Sequence, residues 1–152
     1  MGKINWRNLT EGLAALSIVL SLIFVGLEVR QSSTIARTEA YQVYSISIAE
    51  NAREIAHDPE FATLLVGLST GQKTEFSITE TAQLFTHFSS VLYLHHGLYQ
   101  SIQEGVIPEE YLEIIRNDPE YQTAFFRGIW PRIKVYSTGS FNNFVESEVL
   151  HI

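Results

Sequence analysis

An uninterrupted apolar run near the N-terminus constrains this chain more than any other feature. Residues 12–27 read GLAALSIVLSLIFVGL and contain no charged side chain, with Glu11 and Glu28 at the two ends. A helix that crosses the hydrocarbon core of a bilayer needs about 17–25 mainly apolar residues. Leu9–Val29 reaches that length if the two glutamates extend toward the interfaces. We therefore predict one transmembrane helix over residues 9–29, preceded by an N-terminal flank, residues 1–8.

Two other interpretations of the apolar run stay open, a cleaved signal peptide and a buried helix of a soluble oligomer. No small-x-small cleavage pattern follows the run, where the sequence reads EVRQSST, and this disfavours a signal peptide. The short length of the run is compatible with a buried helix. Flanking charge does not decide the orientation, because Lys3 and Arg7 on one side are balanced by Arg30 and Arg37 on the other.

The helical pattern continues beyond the apolar run. Between Arg30 and His57 the sequence contains neither Pro nor Gly. Apolar residues recur there at steps of three and four, namely Tyr41, Tyr44, Ile48, Ala52 and Ile55. Asp58-Pro59 is a strong helix stop. We expect a helical domain over residues 30–152 whose first helix is continuous with the membrane helix to about residue 57, and a break near Gln31–Thr34 is the alternative.

Helix-start signals divide the remaining sequence into about five further helices. They are Asp58-Pro59-Glu60, the capping box Ser77-x-x-Glu80, Pro108, Asp118-Pro119-Glu120 and Ser140. Pro131 is expected to kink or end the fourth of these helices near Trp130. No strand-like alternation exceeds four residues. The predicted fold class is therefore all-α, a long N-terminal transmembrane helix continuing into a small helical bundle.

Charge and cysteine content exclude several classes of function. The net charge is −7, and the whole excess lies in residues 58–152, which hold five basic and twelve acidic residues. Phosphate binding needs clustered Lys and Arg, so nucleic acid is not an expected partner. The chain has no Cys, which excludes disulfides, thiol nucleophiles and thiolate metal sites.

Few residue patterns suggest chemistry. Glu54-x-x-His57 is half of a di-iron motif, which also needs a second Glu-x-x-His and two more glutamates from other helices, and Glu80, Glu104 and Glu113 are each followed three residues later by a residue other than His. There is no G-x-S-x-G and no Gly-rich phosphate loop. We therefore assign no catalytic residue, no metal and no cofactor, and enzymatic activity is the less favoured interpretation.

Two groups of residues are candidate sites of another kind. His95 lies on the apolar stripe of the predicted 78–104 helix, one turn before Tyr99, and is either a core histidine bonded to a neighbouring helix or part of a ligand site. The first is favoured. In the membrane segment, one face carries residues that let helices approach closely, Ala14, Ser17, Ser21 and Val25. The two serine hydroxyls can instead bond to carbonyls of their own helix.

The segments LAALSIVLSLIFVGLEVRQSSTIAR and FSSVLYLHHGLYQSIQEGVIPEEY, with a DPEF-type cap between them, resemble a large group of uncharacterised bacterial proteins. In that group one N-terminal membrane helix ends in an E/Q-x-R-Q step, here Glu28-Val29-Arg30-Gln31, and a small helical domain follows. The resemblance implies a single-pass protein of the bacterial inner membrane with a cytoplasmic domain. The resemblance implies no activity, no cofactor and no catalytic residue.

Together these features predict a non-enzymatic, membrane-anchored helical protein that acts by association. It would be a homo-oligomer or an accessory subunit of a membrane complex, with the lipid bilayer and a second copy or a membrane protein as its partners. The alternative is a membrane-tethered sensor or small-ligand-binding domain.

Overall fold

The structure is a computed structural model that describes the backbone of residues 6–152 and the side chains from Thr10 onward. Of the predicted flank, residues 1–8, residues 1–5 with Lys3 and the side chains of residues 6–8 with Arg7 therefore lie outside the described part, as does the side chain of Leu9. Within residues 6–152 the elements are helices and connecting turns with no strand, so the predicted all-α class is confirmed.

The first helix, α1, extends without interruption over Trp6–His57. It contains no break at Gln31–Thr34, which confirms the expectation of a single long N-terminal helix. Thr34 and Thr38 have weak helix propensity, but their hydroxyls each donate to the carbonyl four residues earlier, at 3.0 Å. Residue contacts divide the chain into two units, Met1–Glu39 and Ala40–Ile152, and each is described by itself.

In the first unit, α1 presents its apolar side chains to the surroundings. The large apolar residues from Leu13 to Leu27 are between 51% and 68% exposed. Within Thr10–His57 the most apolar window has a mean hydropathy of 2.3 and no buried residue, and the helix is long and apolar enough to cross a membrane. A contiguous apolar surface of this kind is unfavourable in water unless lipid or protein covers it.

The second unit contains the C-terminal end of α1 and five further α-helices, the number that the sequence predicts. They are α2 (Pro59–Ser69), α3 (Ile78–Gln103), α4 (Leu112–Arg116), α5 (Ala124–Ile133) and α6 (Gly139–Phe144). Three short 3₁₀ helices, Glu109–Tyr111, Pro119–Gln122 and Lys134–Tyr136, and a π-helical segment, Val145–Leu150, lie between or after them.

The long helix α3 is the centre of this unit's core. Its buried face includes Leu84, Phe88, Leu92 and Leu98, which pack against the later helices. Fully buried aromatic side chains from the second half of the chain complete the core, namely Tyr121, Phe126, Trp130 and Phe141. The apolar stripe predicted for this helix begins at Ile78. In the structure Ile78 is 91% exposed, and the buried face begins about one and a half turns later, at Leu84.

Of the two effects predicted for Pro131, a kink or an end near Trp130, the end is not observed in helix α5. The helix continues through Pro131 and ends at Ile133. Proline removes one backbone N–H and crowds the preceding turn, so its cost is greatest in the middle of a long helix. Pro131 is in the last turn of a ten-residue helix, and the burial of Ile133 in the core stabilises the additional residues.

The start of α3 has the full capping box that the sequence predicts. The Ser77 hydroxyl accepts the Glu80 N–H at 3.2 Å, and the Glu80 carboxylate accepts the Ser77 N–H at 2.9 Å. Lys73 forms an ion pair with the same carboxylate. The ion pair and the hydrogen bonds hold the pKa of Glu80 below its usual value, with the Lys73 bond as the main cause.

Ser77→Ala should lower the free energy of unfolding of the helical unit by about 0.5–2 kcal/mol, the usual range for loss of a helix N-cap. Ser90→Ala is the matched control, because the Ser90 hydroxyl bonds only to the Thr86 carbonyl within the same helix. Urea unfolding of the full chain in a non-ionic detergent, followed by circular dichroism, measures both. Equal effects of the two substitutions would contradict the capping role.

Candidate functional site

The four candidate residues of the predicted membrane segment lie on one exposed side of α1. Ser17 donates its hydroxyl hydrogen to the Leu13 carbonyl at 2.9 Å, and Ser21 donates to the Ser17 carbonyl at 2.8 Å. With Ala14 and Val25, these serines therefore present small side chains whose hydroxyl hydrogens are already used within the helix. A shallow depression between Ser17, Ser21 and Val25 marks this face.

His95 is a core residue of α3, with 2% of its surface exposed. Its Nδ1 lies 2.7 Å from the Tyr121 hydroxyl, and its Nε2 lies 3.8 Å from a carboxylate oxygen of Asp118. The ring of Tyr44 from α1 stacks on the imidazole, with 6.3 Å between ring centroids. Three separate segments thus meet at His95, which is bonded to a neighbouring element.

Tyr99, the second candidate of this group, has different partners. Its hydroxyl donates to the Ser140 carbonyl at 3.4 Å, and its ring packs against Phe141 and Phe144. His95 and Tyr99 therefore share the buried face of α3 but no common polar partner. A cavity of about 220 Å³ lies beside Tyr44 and the half-exposed Tyr93, and neither His95 nor Tyr99 lines it.

Burial shifts the titration of the groups around His95. It lowers the pKa of His95 to about 4 and raises the pKa of Asp118 to about 6. Burial also raises the pKa of Tyr44 to about 12, and the pKa of Tyr121 lies well above its ordinary value for the same reason. At neutral pH the His95–Tyr121 hydrogen bond therefore joins two uncharged groups.

A second buried histidine, His87, lies two turns before His95 on α3, and the sequence did not single it out. Its side chain is 4% exposed, and its Nε2 is 3.1 Å from both carboxylate oxygens of Glu120. A carboxylate oxygen accepts hydrogen bonds, so Nε2 carries a hydrogen and Nδ1 is the acceptor when the ring is neutral. The edge of the Phe61 ring packs against the imidazole.

The related hexapeptides DPEFAT and DPEYQT, which begin at Asp58 and Asp118, have different roles in the structure. Asp58 caps the α-helix α2 by accepting the Phe61 N–H at 3.0 Å, whereas Asp118 accepts the Glu120 N–H at 2.9 Å and begins a 3₁₀ turn. Glu60 is exposed, whereas the corresponding Glu120 binds His87. The second hexapeptide therefore attaches its segment to α3 through two histidines.

An open groove lies on one side of His87, among the end of α1, the start of α2 and the first half of α3. Its volume is about 470 Å³, within the usual range for small-molecule sites. Eleven residues line it: Asn51, Glu54, Ile55, Asp58, Phe61, Thr79, Ala82, Gln83, Thr86, His87 and Ser90. All of them belong to the unit that begins at Ala40.

Glu54 of the partial Glu-x-x-His motif lines this groove, and His57 is exposed outside it. In the part of the chain that the structure describes, no three His, Asp or Glu side chains come close enough to hold a metal ion. Comparison of the chain with protein-family models, with curated proteins and with solved structures gave no match. The site is therefore interpreted from its own geometry.

Proposed function

We propose that the protein is a single-pass membrane-anchored helical domain that acts by association with a second copy of itself or with a membrane protein. The observation that carries this proposal is the apolar side of α1, where every large apolar residue from Leu13 to Leu27 is more than half exposed. At about 25 cal/mol per Å², leaving ten such side chains in water is strongly unfavourable. Lipid around the helix and protein against one face remove that cost.

The polar contacts of the helical unit support a packing role for its buried groups. These groups bond to one another across elements, as His95 does to Tyr121 and His87 does to Glu120. Such contacts stabilise the packing of a domain that presents its surface to a partner. A location in the bacterial inner membrane rests on the resemblance of the sequence to a group of uncharacterised bacterial proteins. That resemblance favours the cytoplasmic side for the helical unit only slightly, because this sequence keeps only Arg30 and Arg37 where many members of the group are rich in arginine.

Purification of the full chain from native membranes in a mild detergent tests the proposal. Cross-linking and native mass spectrometry should detect either a dimer or higher oligomer or a reproducible complex with a membrane protein. A strictly monomeric species with no co-purified protein would contradict action by association.

The face with Ser17 and Ser21 is the expected contact in the membrane, because small side chains allow close approach of two helices. Ser17→Leu with Ser21→Leu should lower the fraction of cross-linked oligomer at least several-fold. Val19→Leu with Ile23→Leu is the matched control, since these exposed residues lie about 200° around the helix from the serines. Equal losses in the two double variants would show that this face is not the contact.

The groove beside His87 favours a second candidate function, a membrane-tethered small-ligand-binding domain. The groove combines a volume of about 470 Å³ with apolar walls and several polar groups. Binding and association are compatible, because the groove belongs to the helical unit and the association face belongs to the membrane segment.

A further inference from the structure

The charge of the groove beside His87 determines which chemistry it can accept. Two carboxylates, those of Glu54 and Asp58, line it, and none of the eleven lining residues is Lys or Arg. Among the side chains of residues 10–152, no ion pair compensates either carboxylate. The groove is therefore a region of negative potential, partly enclosed by low-dielectric walls.

The hydrogen-bond acceptors of the groove are fixed before a ligand arrives. The cap bond from the Phe61 N–H to Asp58 Oδ1 holds that carboxylate in place. The two bonds to Glu120 hold His87 through Nε2. Among residues 10–152 no fully buried side-chain nitrogen or oxygen lacks a partner, and Nδ1 of His87 has none, so this atom is at least partly exposed. Because His87 lines the groove, Nδ1 is a candidate acceptor for a ligand there.

The dipoles of the helices that end near the groove do not reverse its negative potential. The positive end of α2 corresponds to about half an elementary charge, so it offsets only part of the full negative charge of its cap Asp58, and the Ser77–Glu80 box caps the start of α3. The C-terminal turn of α1, which contributes Glu54 and Ile55, has the negative end of its dipole at the groove. The net field thus favours a cation.

We propose that this groove binds a small organic ammonium ion, a primary or secondary amine with a short apolar substituent. The ammonium group would donate to the carboxylates of Glu54 and Asp58 and to His87 Nδ1. The substituent would pack against Ile55 and Phe61. This inference rests on the second candidate function, ligand binding in the groove, and is independent of the proposed association through the membrane segment.

The probe is phenethylamine, titrated into the full chain in a non-ionic detergent at pH 7 and followed by NMR of ¹⁵N-labelled backbone amides. Saturable shifts are expected at groove residues such as Thr86 and Ser90. Phenethyl alcohol and phenylacetate, which keep the ring but replace the ammonium group, should bind at least tenfold more weakly. No saturable shift with the amine, or equal binding of the alcohol, would overturn the proposal.

Variants assign the binding to the groove. Asp58→Asn removes the charge but keeps a good N-cap, and Glu54→Gln removes the second charge with little change of shape. Each should weaken phenethylamine binding about tenfold, the effect of losing about 1.4 kcal/mol. Glu50→Gln, an exposed residue one turn earlier on α1 and outside the lining, is the matched control. Equal weakening by Glu50→Gln would indicate non-specific attraction and overturn the site.

Discussion

Arginine at both Ile18 and Leu22 is expected to abolish integration of the full chain into membranes. These residues are 62% and 67% exposed and occupy one side of the apolar run. Insertion of an arginine at the centre of a membrane helix costs about 2.5–3.5 kcal/mol, so the pair costs roughly 5–7 kcal/mol. The protein should move from the membrane pellet to the supernatant when membranes are washed with alkaline carbonate.

The matched control places the same two charges, with the same spacing, outside the predicted span. Gln31→Arg with Ile35→Arg adds two arginines one turn apart on the exposed surface of the same helix. This variant should remain in the pellet. Retention of the Ile18→Arg and Leu22→Arg variant, or release of the unaltered chain by carbonate, would contradict a membrane-spanning segment.

The second large effect is a pH dependence of stability that only single substitutions reveal. His95 has a pKa of 6.5 when exposed and about 4 in the fold, so the unfolded chain binds more protons and stability rises with pH between about 4 and 6.5. Asp118 has a pKa of 3.8 when exposed and about 6 in the fold, so stability falls as pH rises between about 4 and 6. The two contributions oppose each other over nearly the same range.

In the unaltered chain, these two groups together should therefore change the free energy of unfolding little between pH 4 and 6. Asp118→Asn leaves the His95 contribution, and its free energy of unfolding should rise with pH by roughly 1–3 kcal/mol across that range. His95→Gln leaves the Asp118 contribution, and its free energy of unfolding should fall by a similar amount. Urea unfolding at several pH values in non-ionic detergent measures both slopes.

Other titratable groups face this cluster, namely His87, Glu120, Tyr44 and Tyr121. They are present in both variants, so they do not account for slopes of opposite sign. His57→Gln, which removes an exposed histidine, should keep the pH profile of the unaltered chain. Slopes of the same sign in the Asp118→Asn and His95→Gln variants would contradict the assignment.

The sequence predicts the helices well because their signals are local. These signals act within one or two turns: the cap at Asp58, the box at Ser77, and the absence of Pro and Gly between Arg30 and His57. The observed helices follow them. Pro131 shows the limit of local signals. Whether a helix continues through such a residue depends on the burial of Ile133 against distant elements.

The polar contacts of the helical unit were harder to predict because they join residues far apart in sequence. The His95–Tyr121 bond spans 26 residues and the His87–Glu120 bond spans 33. Helical periodicity placed His95 on the buried face but gave no partner for it. One signal was available for the missed residues, because His87 lies eight residues before His95, a spacing that puts them about 80° apart around the helix, within the width of one apolar stripe.

The π-helical segment Val145–Leu150 has a consequence for the order of events during biosynthesis. Its residues Val145, Val149 and Leu150 are almost fully buried, and side chains of Gln122 and Arg127 donate to its last carbonyls. The core of the helical unit is therefore complete only after the ribosome has added these residues. Translation proceeds from the N-terminus, so the apolar run of α1 leaves the ribosome much earlier. A targeting factor that recognises this run would meet a chain whose helical unit is still unfolded.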